Sequence, residues 1–79
     1  MNASQLIQAM RARVAALGLP QLLEAFEQTN ALQGEEVPTV RGVLMDELER
    51  RDEGAFSAWM ETGDVALMDT PTHFYRAAL

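Results

Sequence analysis

The sequence has no cysteine, no lysine and a single histidine. Without thiols there are no disulfides, no thiol catalysis and no thiolate metal sites, so packing alone must hold the fold. One histidine is too few for the common imidazole-based metal centres, and His73, beside Phe74, reads as an end-of-helix surface residue. No apolar run is long enough to span a bilayer, and no charged-then-apolar leader with a cleavage site opens the chain. The expectation is a soluble, cytoplasmic protein. Strand-like alternation, internal repeats and low-complexity segments are all missing, and the five glycines never gather into a phosphate-cradling loop.

What is present is helical. Seventy-nine residues make one domain, and a chain this short buries only about 60–65% of the surface its unfolded form exposes, so the core is thin. Twelve acids face six bases, all arginine, for a net charge of −6. That field repels a phosphate backbone and argues against nucleic acid as a partner. Its simplest role is solubility.

Asn2, with Gln5 three residues on, forms a capping-box signature, and Leu6, Ile7, Met10, Val14 and Leu17 then fall on one face of a helix. This is the cleanest amphipathic signal in the chain. Gly18 stands where a left-handed C-cap is wanted, and Pro20 where a helix can begin without losing a hydrogen bond. The second helix turns Leu22, Leu23 and Phe26 inward and Glu24, Glu27 and Gln28 outward. Residues 33–38 have turn chemistry and read as a surface loop, with Thr39 as the next N-cap.

From Val40 the apolar stripe runs through Val43, Leu44 and Leu48, with Glu47 and Arg51 paired at its edge. Beyond Asp52 the stripe is carried by Phe56, Trp59 and Met60, out of phase with the turns before it. A break at Asp52-Glu53-Gly54 repairs the mismatch, with Asp52 as the cap of a new helix; one continuous helix over 39–61 is the alternative. Gly63 is expected to end this helix as Gly18 ends the first. Thr70-Pro71 then opens a short terminal turn anchored by Phe74 and Tyr75. The expected fold is all-α: four short helices at about 3–17, 20–31, 39–51 and 53–61, and a helical turn at about 71–77. Residues 64–79 form a tail that packs at home or docks elsewhere.

No catalytic, cofactor-binding or metal-binding residues emerge. Ser4 and Ser57 lack a strand-turn-helix elbow, the carboxylates lie on polar faces where nothing raises their pKa, and no calcium-loop pattern occurs. A helix-turn-helix reader fails on sign, because the helix after the first corner offers only Glu24, Glu27 and Gln28 to DNA. No enzymatic activity is expected.

Association with another protein survives these exclusions. Phe56, Trp59, Phe74 and Tyr75 are residue types that dominate interface hot spots, with Arg50 and Arg51 as rim charges, although all four aromatics could instead fill the core. The first helix could also pair with its own copy in a homodimer, since positions 3, 6, 10 and 17 are apolar; Arg13 breaks a strict coiled-coil seam. Two alternatives remain: a nucleic-acid regulator using Arg11, Arg13 and Arg41 gathered on one side, or an acidic DNA mimic built from residues 46–53, Glu35 and Glu36. The segment VRGVLMDELERRDEGAFSAWM resembles a stretch that recurs in small helical proteins of bacterial plasmids, phages and other mobile elements. The resemblance implies an accessory role, modulating a host or element-encoded protein.

Overall fold

Asn2 and Gln5 start the first helix by satisfying each other's backbone. In the computed structural model, which describes residues 2–79, the Gln5 N–H donates to Asn2 Oδ1 at 2.8 Å and the Asn2 N–H to Gln5 Oε1 at 3.1 Å. The helix they open, α1, spans Ala3–Ala15. It is followed by α2 (Leu19–Gln28) with a 3-10 turn at Thr29–Ala31, then α3 (Val37–Arg51), α4 (Glu53–Glu61), and two one-turn helices, α5 (Val65–Met68) and α6 (Thr72–Tyr75). No strand occurs among the described residues, and the protein is a small all-α bundle.

Asp52 separates α3 from α4 as the phase change requires. It is extended, with φ −157°, and its Oδ1 accepts the Ala55 N–H at 3.0 Å. Other boundaries differ from the sequence pattern. Gly18 is extended rather than left-handed (φ −68°), because it serves as the N-cap of α2: its carbonyl accepts the first bond of that helix, from Leu22 N–H at 2.9 Å. Gly63 is not left-handed either, and α4 ends on an extended Thr62. The positive-φ residue among those described is Gly34, at φ 140°, where an added Cβ would meet the Glu36 carboxylate at 2.8 Å. The loop is shorter than 33–38, since α3 begins at Val37 and takes Pro38 into its first turn, where no N–H is needed. Thr70 does not cap α6; its hydroxyl faces the carbonyls of Ala66 and Leu67 at the end of α5.

The core is built from Leu22, Leu23 and Phe26 of α2, Leu44 and Leu48 of α3, Trp59 of α4 and Tyr75 of α6. Phe26 meets Trp59 edge to face, with ring centroids 5.0 Å apart. The tail packs at home. Trp59 Nε1 donates to the Met68 carbonyl at 2.9 Å, Asn30 Nδ2 to the Asp69 carbonyl at 2.8 Å, and the Thr72 N–H and hydroxyl to the Glu27 carboxylate. Helix α1 packs along α3 and reaches this core only through Val14 near its end; none of its residues is fully buried. Among the described residues no helix is long and apolar enough to cross a membrane.

Candidate docking surface

Trp59 and Tyr75 are 2% and 0% exposed, so two of the four aromatics proposed from sequence as docking anchors belong to the core instead. The reason is size: a chain with a thin core places its largest side chains at the centre. Both polar tips are satisfied there, the Tyr75 hydroxyl donating to the Leu48 carbonyl at 2.8 Å. Burial pushes the Tyr75 phenol up to about 12, helped by the negative charges of Asp52 and Glu49. Phe56 and Phe74 are half-buried against the same cluster.

Arg50 and Arg51 meet on one carboxylate. Arg50 donates to both oxygens of Glu47, at 3.0 and 2.5 Å, and Arg51 Nε donates to Oε2 at 2.7 Å. The guanidinium of Arg50 bonded to it holds Glu47 down at about 2; burial opposes the shift and Arg51 reinforces it. Arg51 also turns inward to the end of α1, where its Nη2 reaches the carbonyls of Val14 (3.2 Å) and Ala15 (3.3 Å). It therefore caps a helix from outside rather than forming a rim, which leaves Arg50, with its side chain 67% exposed, as the surface cation of the pair. Sequence spacing showed the Glu47–Arg51 pair but not this third partner, which lies far away in the chain.

These contacts, with the Arg11–Asp46 ion pair at 2.9 Å, fasten only the C-terminal half of α1. Because Arg11 meets Asp46 and the end of α1 meets Arg51, α1 and α3 run in the same direction, their N-terminal halves side by side. Between those halves lies an open groove of about 360 Å³, lined on α1 by Ala3, Leu6, Ile7 and Met10 and on α3 by Glu36, Thr39 and Val40. Leu6 is 53% exposed. The stripe that most clearly marks α1 as amphipathic is thus only partly covered over its first two turns, with Ile7 and Met10 half-buried beside α3 and Leu6 open. A second apolar area lies around the edge of Trp59, where Met45, Met60 and Met68 border a hollow of about 200 Å³.

The arginines considered for nucleic acid are differently engaged. Arg11 pairs with Asp46, while Arg41 stacks on Phe26 at 4.4 Å and donates to Thr29 Oγ1 and Asn30 Oδ1. Of the acids in 46–53, Asp46 is ion-paired, Glu47 is buried beneath two arginines and Asp52 caps α4. No group of three or more His, Asp or Glu among the described residues is placed to hold a metal ion, and no buried side-chain nitrogen or oxygen there lacks a partner. No family model, curated protein or solved structure matches the chain.

Proposed function

We propose that this protein acts without chemistry of its own, as a cytoplasmic accessory module that binds another polypeptide through the groove between α1 and α3. One observation carries the reading: no residue of α1 is fully buried within its own chain, and in the first two turns of its apolar stripe Leu6 lies open while Ile7 and Met10 are only half-buried. Apolar faces left open on a small domain mark sites of association. The groove is long enough to receive two turns of a helix, the mode in which an amphipathic segment lays its apolar side into a trough. Direct contact with nucleic acid has weaker support, because Arg11 and Arg41 are committed to partners within the fold.

Site-specific photo-crosslinking tests the reading. A photoreactive residue at Leu6 or Met10 should give discrete protein adducts in the native cell, and one at Glu24, on the exposed side of α2, should not. Equal labelling from all three positions, or none from Leu6 and Met10, would refute it.

A further inference from the structure

The α1 face has the pattern of a surface complementary to itself, and we infer that its occupant is the α1 face of a second copy of this chain, antiparallel about a twofold axis. The inference rests on the groove being a docking surface and adds who fills it. Three observations carry it.

First, α1 contains none of the twelve acids, so two highly acidic chains can approach here without carboxylate facing carboxylate along the helix. Second, the apolar strip is bounded by opposite charges. Glu36 lies at the Ala3 end of the groove and Arg13 one turn beyond Met10, both exposed, and among the described residues neither makes an ion pair or a side-chain hydrogen bond. Third, one register satisfies apolar and charged groups together. An antiparallel pairing that sets Leu6 against Met10 of the second copy also brings Arg13 level with Ala3 of that copy, beside its Glu36. The twofold axis then makes every contact twice, as an isologous interface requires. A parallel pairing would set Arg13 against Arg13.

The patch offers far fewer residues than the roughly 20–30 a side of a standard interface, so the dimer is a weak one. Sedimentation velocity of the full chain from about 10 µM to about 1 mM should show a reversible monomer–dimer equilibrium. Leu6→Glu should abolish it. Arg13→Glu and Glu36→Arg should each weaken it about tenfold, and the double exchange should restore it, because the pair is re-formed with its signs reversed. Both residues are exposed, and unchanged circular dichroism will show that folding is intact. A chain monomeric throughout, a dimer indifferent to Leu6→Glu, or a double exchange no better than either single one would overturn the inference. Crosslinks from Leu6 to a different protein in a monomeric chain would overturn it while leaving the groove a docking site.

Discussion

Glu47 sits where α1, α3 and two arginines converge, and its carboxylate connects them through charge-assisted hydrogen bonds. Its folded-state pKa lies below its ordinary value of 4.5, at about 2. A carboxyl depressed on folding contributes stability above its ordinary pKa, and that stability is lost as pH falls through the folded value. The protein should therefore weaken between about pH 4.5 and pH 2 by about 2 kcal/mol from this group, a figure discounted for the solvent around Arg50. Glu47→Gln should cost a similar amount at neutral pH and flatten the acid limb in urea titrations followed by the one tryptophan. Tyr75 behaves in the opposite sense. Its phenol is raised from 10.0 to about 12, so the stability it contributes is intact below pH 10 and lost as pH climbs through 12. As the only tyrosine, its ultraviolet titration is free of overlap, and phenolate should appear near pH 12 in the native protein and near 10 once it unfolds. Tyr75→Phe removes the bond to the Leu48 carbonyl and should cost about 1 kcal/mol in the same urea measurement.

Among the elements, the α3–α4 junction shows how a local rule sets a global turn. The stripe of α3 and the aromatic side of α4 cannot both face the core on one straight helix, and a capping aspartate resolves the conflict. Asp52→Ala should destabilise by about 1 kcal/mol, whereas Gly54→Ala should stabilise by about 0.5–1 kcal/mol, since the added Cβ finds its nearest neighbour, Asp52 Oδ1, at 3.5 Å. Thermal unfolding by circular dichroism distinguishes the two signs. This junction, the Asn2–Gln5 box and the inward face of α2 were legible in the sequence because each depends on residues within four positions of one another. The tail was not. Its α5 is a single turn too short to show a period, held by the Trp59–Met68 bond and by Asn30 from across the fold. Periodicity also misleads for α1: it marks which side of a helix is apolar, and cannot say whether the same chain covers that side. One further signal was present, since no charge occurs between Asn2 and Met10. A helix without charge even on its polar side is poorly suited to standing free in water.

At the scale of the whole molecule, on the proposed reading, the bundle divides its apolar residues between two tasks. Helices α2, α3, α4 and α6 enclose Leu22, Leu48, Trp59 and Tyr75, while the first two turns of α1 contribute almost nothing to that core. Trp59 and Tyr75, two of the aromatics that suggested a sticky second half, belong to the core, and the site of association we propose lies at the opposite end of the chain. The measurement that separates these tasks most directly is the unfolding free energy of Leu6→Glu in dilute solution, beside that of Leu22→Ala. Leu22, fully buried, should lose about 2–5 kcal/mol on truncation. Leu6→Glu should stay within about 0.5 kcal/mol of the parent, because Leu6 is half exposed and, on the proposed reading, serves a partner rather than the fold. A loss at Leu6 as large as that at Leu22 would contradict the account, because the α1 face would then belong to the core.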